Sequence, residues 1–220
     1  MKINIAIDGP AGSGKSTVAE KLAEKLGYQF VDTGLTYRGF TYWCLKNQIN
    51  FADQTAIKSQ LVTFKYQVVG ANVFVNDEDV TNKLQKTDII DNINKITGLD
   101  FVREAMVKLQ QSLSNDKGVV MVGRDTTTVV LPTADVKIYL TANLKVRAER
   151  RWKQNAANGI SPNDLSDIQE KLRLRDYADE NRAVGPLQIA PDAIVIDSSV
   201  QTIDQAVTAI YNLVIKKVGN

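Results

Sequence analysis

The sequence predicts a single doubly wound α/β domain: a five-stranded parallel sheet with helices on both faces. Three observations carry that expectation. Short apolar runs of strand length alternate with longer amphipathic runs from end to end. The first apolar run leads through a glycine-rich loop directly into a helical pattern. Polar and charged residues also gather where apolar runs stop, the edge at which open parallel sheets bind ligands.

The first strand is Ile3-Asn4-Ile5-Ala6-Ile7. Gly9-Pro10-Ala11-Gly12-Ser13-Gly14-Lys15-Ser16, followed by Thr17, then fits G-x-x-x-x-G-K-S/T. Glycines let such a loop curl until its N–H groups face phosphate oxygens, and the helix N-terminus behind it adds partial positive charge. Val18, Leu22 and Leu26, flanked by Ala19 and Ala23, give that helix its buried stripe. Lys15 is expected to reach the outer phosphates of ATP, and Ser16 to offer its hydroxyl to Mg²⁺.

Gly27 marks a helix end, and Tyr28-Gln29-Phe30-Val31 forms a second strand that stops at Asp32-Thr33-Gly34. A helix opens at Leu35-Thr36-Tyr37-Arg38 and runs to about Asn47. Asp32 and Thr33 suit a helix cap as well as a ligand site. Arg38, one turn into the helix, is a candidate bidentate clamp for phosphate.

Residues 53–62 read as helical. Alternation over Phe64–Val69 and Val73–Val75, with Gly70-Ala71-Asn72 between, predicts a hairpin insert, closed by a turn at Asn76-Asp77-Glu78-Asp79. Helices follow at about 87–96 and 100–114. The second takes Asp100 as its N-cap and Val102, Met106, Leu109 and Leu113 as its stripe, with Arg103 beside it. Gly118–Val122 is the third sheet strand and ends at Gly123-Arg124-Asp125. Thr126-Thr127-Thr128 and Val129-Val130-Leu131-Pro132 connect it to the fourth, Val136–Leu140.

A helix from about Leu144 to Asn158 sets Arg147, Arg150 and Arg151 on one face, where three guanidinium groups are expected to converge. After the break at Asn158–Asn163, a second charged helix from about Asp164 carries Arg175, Asp179 and Arg182 and ends near Gly185-Pro186-Leu187. The pair reads as a lid able to fold over phosphates. Ala193–Asp197 is the fifth strand. Thr202-Ile203-Asp204-Gln205 is a capping box for a last helix buried through Ile203, Val207, Ile210 and Val214.

Composition narrows the chemistry. Among 220 residues there is no histidine, which excludes Ser-His-Asp and Cys-His catalysis. A balance of 27 basic against 25 acidic residues is too even for a footprint on polymeric nucleic acid. No apolar run approaches the roughly 20 residues of a membrane span, and Met1-Lys2-Ile3 enters a strand without the regions of a signal peptide. The single cysteine, Cys44, reads as a small buried residue, and a cytoplasmic setting is expected. A phosphate loop with arginines from several further segments describes phosphoryl transfer to an anionic acceptor, which needs alignment and positive charge more than proton transfer. On residues alone, a kinase of another small anionic acceptor and a nucleotide-binding module with impaired turnover remain open. A regulatory GTPase is disfavoured, because Asn94-Lys95-Ile96-Thr97 lacks an acidic residue at Thr97.

Gly9–Thr17, Asp32-Thr33-Gly34 with Tyr37-Arg38, Gly123-Arg124-Asp125, Val129–Pro132, Arg175-Asp176 and Asn181-Arg182-Ala183-Val184 together resemble bacterial cytidylate kinases, in order and spacing, from first strand to last helix. The resemblance implies MgATP-dependent phosphorylation of CMP and dCMP by a single-domain monomer. Its monophosphate-binding insert would span about 35–100 and its lid about 147–187. Gly9 to Thr17 would bind ATP, and Ser16 the metal. Thr33, Tyr37 and Arg38 would meet the monophosphate with Arg124. Asp125, Arg103 and Asn94 would contact cytosine, and Asp179 the ribose. Arg175 and Arg182 would approach phosphates from the lid, and Lys15, Arg124, Arg147, Arg151 and Arg175 would act on the transferred group. The chain departs from the family pattern at Val122 (usually Asp), Thr127 (usually Gly) and Asn94 (aligned with Ser). Val122 removes a carboxylate expected to hold the loop or the metal shell, and Thr127 would be strained if that glycine needs a positive φ.

Overall fold

The computed structural model describes residues 2–219. In chain order the elements are β1 (Asn4–Asp8), α1 (Lys15–Leu26), β2 (Gln29–Asp32), α2 (Thr33–Lys46), α3 (Gln54–Thr63), β3 (Tyr66–Val69), β4 (Asn72–Val75) and β5 (Glu78–Asp79). They continue with α4 (Thr87–Thr97), α5 (Asp100–Ser112), β6 (Val119–Val122), β7 (Val136–Thr141), α6 (Leu144–Ala157), α7 (Leu165–Asn181), β8 (Ile194–Asp197) and α8 (Ile203–Val218). The chain divides into two compact units, Met1–Phe30 with Lys117–Asn220, and Val31–Asp116.

The expected five-stranded parallel sheet is present, in the order β2-β6-β1-β7-β8. β1 lies at its centre, paired with β6 (Ile7 opposite Val122) and β7 (Ile7 opposite Ile138). The connection leaving β1 runs toward β2, and the one leaving β7 runs toward β8. Loops at their carboxyl ends therefore part at the place where the phosphate loop begins. The core of this unit is built from Ile3, Ile5 and Ile7 with Val120, Ile138 and Leu140, packed against Val18 and Leu22 of α1 and Val207, Ile210 and Val214 of α8. Gly27 ends α1 in the left-handed conformation, its N–H bonded to the carbonyls of Ala23 and Glu24. The capping box at Thr202 and Gln205 starts α8 as expected.

In the second unit Phe40, Cys44, Ile57, Ile96, Val102 and Met106 pack together, with Phe64 edge-on to Phe40 at a centroid distance of 5.1 Å. Gly39 permits close approach to the hairpin: a Cβ there would lie 3.2 Å from both the Tyr66 ring and a Val75 methyl. Burial raises the Cys44 thiol pKa to about 12.

Four local expectations are corrected. Asn76 and Asp77, both with positive φ, make a tight turn by themselves, and Glu78-Asp79 returns as β5 against β4. α2 begins at Thr33 rather than Leu35, because Asp32 caps it by accepting from the Gly34 amide at 2.9 Å. Asp100 lies inside the first turn of α5 and Leu99 takes the N-cap position, so the carboxylate acts on the helix dipole rather than as a cap. Thr126–Val130 forms a π-helical turn instead of an open connection.

Glu78 gathers three donors: Lys46 Nζ at 2.6 Å, the Tyr42 hydroxyl at 2.9 Å, and Lys83. Hydrogen bonds from Lys46, Lys83 and Tyr42 hold its carboxyl at about 2, below its ordinary 4.5. A depressed folded-state pKa gives stability that is present above 4.5 and disappears as pH falls toward 2. We expect Glu78→Gln to lower stability at neutral pH, with the deficit against wild type shrinking across that window. Urea denaturation over a pH series checks this, and a deficit independent of pH would contradict it.

Candidate active site

The phosphate loop springs from the buried end of β1. At Gly9, with φ at +149°, an added Cβ would lie 2.0 Å from the Leu140 carbonyl oxygen, so only glycine lets the chain leave the sheet here. The Lys15 side chain arches back, its Nζ donating to the Pro10 carbonyl at 2.7 Å and to Ser13 Oγ at 3.4 Å. Other loop carbonyls are held by partners distant in sequence. Arg147 donates to Ala11 O at 3.0 Å and to Ala142 O at 2.8 Å, and Ser198 Oγ donates to Ser13 O at 3.0 Å. Fixing the carbonyls in this way preorganises the amides of the same peptides as anion donors. Ser16 and Thr17 are exposed in the first turn of α1.

Next to this loop in the sheet, β6 ends at Gly123-Arg124-Asp125. Arg124 Nε donates to Asp179 Oδ2 of α7 at 2.8 Å, and Arg182 meets Asp125 at 3.2 Å. Arg182 Nε also donates to the Gly185 carbonyl. Two candidate phosphate ligands and two candidate nucleoside ligands are thus paired with one another. Nearby, Asp176 holds Arg147 at 2.7 Å. Arg175 is exposed on α7.

The expected strain at Thr127 is not found. Its φ is not positive, its amide donates to Asp8 Oδ2 at 2.6 Å, and its hydroxyl donates to the same oxygen at 2.6 Å. The Thr126 amide donates to Asp8 Oδ1 at 2.9 Å. Val122 packs in the apolar core, and the carboxylate that holds this turn is Asp8, from the neighbouring strand.

Within the second unit, Thr33 starts α2, and Gln110 of α5 donates to Thr36 Oγ1 at 2.7 Å and to Thr33 O at 3.4 Å. Arg103 is 5% exposed and lies 5.9 Å from the centroid of the Tyr37 ring. Arg38 is half-buried and donates to the Leu84 carbonyl at 3.4 Å. Thr33, Tyr37 and Arg38 share the first turns of α2, and Arg103 of α5 lies over the ring of Tyr37. Asn94 is exposed on α4.

The expected convergence of the α6 arginines occurs for two of the three: Arg147 donates to Ala11 O at 3.0 Å and Arg150 to Ser13 O at 3.4 Å, both carbonyls of the phosphate loop. Arg147 is buried against the loop, Arg150 donates to Ser198 O at 2.6 Å and to Ser198 Oγ at 3.1 Å, and Arg151 is exposed. Spacing of three sets Arg147 and Arg150 side by side over the loop, whereas the long side chain of Arg151 leaves it for solvent. Sequence reasoning missed Asp8, Ser198 and Gln110, and quoted Asp176 in the Arg175-Asp176 motif without giving it a role. Asp8 carried a usable signal, being a charge at the end of an apolar strand like Asp32 and Asp125. Gln110 and Ser198 gave none.

The family model described as cytidylate kinase matches residues 5–216. The chain is 46% identical over 213 residues to the cytidylate kinase of Mycoplasma capricolum, covering 97% of this chain and 96% of that protein. It is 41% identical over 219 residues to the cytidylate kinase of Lactiplantibacillus plantarum, with coverage of 98% and 96%. Among solved structures, shikimate kinase from Bacteroides thetaiotaomicron shares the fold at a TM-score of 0.52 and 13% identity, over 97% of this chain and 99% of that one. The chain belongs to the cytidylate kinase family and is a nucleoside monophosphate kinase.

Proposed function

We propose that the protein transfers the terminal phosphoryl group of MgATP to CMP and dCMP, giving ADP and the diphosphates. The observation that carries this reading is that the phosphate loop and the Gly123-Arg124-Asp125 turn leave adjacent strands, β1 and β6, at the same end. The loop amides and Lys15 hold the donor. Thr33, Tyr37, Arg38, Arg124 and Arg182 take the acceptor phosphate. Asp125 and Arg103, with Asn94, face the cytosine, and Asp179 the ribose hydroxyls.

An oxygen of the acceptor phosphate attacks the γ-phosphorus while the bond from that phosphorus to the bridging β-oxygen breaks and its electron pair passes to ADP. The attacking oxygen is already anionic, so no general base is needed, consistent with a chain that lacks histidine. The work left to the protein is alignment and charge compensation. Lys15, Arg124 and Arg175 supply positive charge to the transferred group, with Arg151 from α6. Arg147 is the exception within that set: its bonds to Ala11, Ala142 and Asp176 give it the task of shaping the loop. Asp179 binds Arg124 through Nε, which sets the plane of the guanidinium before substrate arrives.

The metal fits the donors available. Among the described residues no group of three or more His, Cys, Asp or Glu could hold a metal ion, whereas the Ser16 hydroxyl is exposed in the first turn of α1. Magnesium would be held by the Ser16 hydroxyl together with the nucleotide's own phosphates, and would supply positive charge to them. Among the described residues no helix is long and apolar enough to cross a membrane, and we read the enzyme as a cytoplasmic monomer acting on free nucleotides.

A coupled ADP-release assay with CMP, dCMP, UMP, AMP and shikimate tests the reading. We expect turnover with CMP and dCMP well above the rest. Turnover of another acceptor alone would reassign the substrate, and tight CMP and ATP binding by calorimetry without ADP release would make the protein a binding module. In the same assay we expect Lys15→Ala to lower kcat by roughly a hundredfold or more, since its charge counts most in the transition state. Unchanged kcat would remove Lys15 from the mechanism.

A further inference from the structure

Asp8 has no role in the transfer described above, yet its buried carboxylate accepts three hydrogen bonds beside the phosphate loop. Its side chain is fully buried and accepts from the Thr126 amide at 2.9 Å, the Thr127 amide at 2.6 Å and the Thr127 hydroxyl at 2.6 Å. One residue earlier on the same strand, the Ile7 carbonyl accepts from the Gly123 amide at 3.1 Å. Arg124 and Asp125 thus arch between two fastenings made by consecutive residues of β1. The far side is closed by the Asp125 carbonyl, which accepts from the Val129 and Val130 amides at 2.8 and 3.1 Å. Asp8 is also joined to Gly9, where the Leu140 carbonyl leaves no room for a Cβ, so the fastening adjoins the start of the donor loop directly.

We propose that Asp8 and Thr127 are positioning residues for the acceptor phosphate, fixing Arg124 and Asp125 in place relative to the donor loop that starts at Gly9. This rests on the kinase reading above. Any residue at 126 or 127 except proline brings an amide. The hydroxyl of Thr127 is the part of the fastening that depends on side-chain identity, and it bonds a buried charge, where a donor counts most. Losing it loosens the arch and takes the Arg124 guanidinium off the line of approach.

The test compares Thr127→Val, Thr127→Ser and Asp8→Asn with wild type. We expect T127V to raise the KM for CMP roughly tenfold while KM for ATP moves less than about twofold, and T127S to recover most of the loss. D8N should show the same split, and supplies the test if T127V does not fold. Amide hydrogen exchange over residues 123–131 should be faster in T127V and D8N than in wild type and T127S. A fall in melting temperature with both KM values and the exchange of the arch unchanged would make the contact purely structural and overturn the proposal. Absence of turnover by wild type with every acceptor would overturn the kinase reading instead, and exchange alone would then decide whether the fastening holds the arch.

Discussion

A loop can offer its amides to phosphate only if its carbonyls are satisfied elsewhere, because each peptide carries both groups and burial leaves neither free of cost. In this protein the carbonyls of Pro10, Ala11 and Ser13 are met by Lys15, Arg147 and Ser198 respectively, from α1, α6 and the segment after β8. Elements far apart in sequence thus spend polar groups on a single turn. The central strand, the glycine at its end and the helix behind it give that turn its path, and the tethers give it rigidity.

Charge is managed by the same economy. Buried cations are costly unless paired, and the first unit pairs Arg147 with Asp176, Arg124 with Asp179, and Arg182 with Asp125. The pairs join the turn after β6 and the helix α6 to one helix, α7, whose sequence interleaves acids and bases along its length. In the second unit, Arg103 has the face of Tyr37 and Arg38 a backbone carbonyl.

Much of the fold could be read from local signals. The phosphate loop, the left-handed stop at Gly27, the capping box at Thr202 and the alternation on β3 and β4 are each written in adjacent residues. What escaped depended on partners remote in sequence. Glu78-Asp79 is too short and too charged to read as a strand, and pairs because the turn at Asn76-Asp77 delivers it to β4. Thr126–Val130 is apolar enough to pass for a connection or a strand, but the Asp8 carboxylate winds it into a wide helical turn. The α6 arginines could be placed on a face, though not followed to their tips. The reading of Thr127 as a strained replacement for glycine considered only backbone freedom. The structure uses its side chain.

The environment of Cys44 has a practical consequence. The only cysteine in the chain is fully buried in an apolar core, and its thiolate is suppressed by a pKa of about 12. Toward alkylating reagents the native protein is expected to behave as though it had no thiol. Cysteines introduced at chosen exposed positions, one in each compact unit, can therefore carry spin labels or fluorophores without first removing the natural residue. Distances between the units, with and without nucleotide, then become directly measurable on an otherwise unaltered chain.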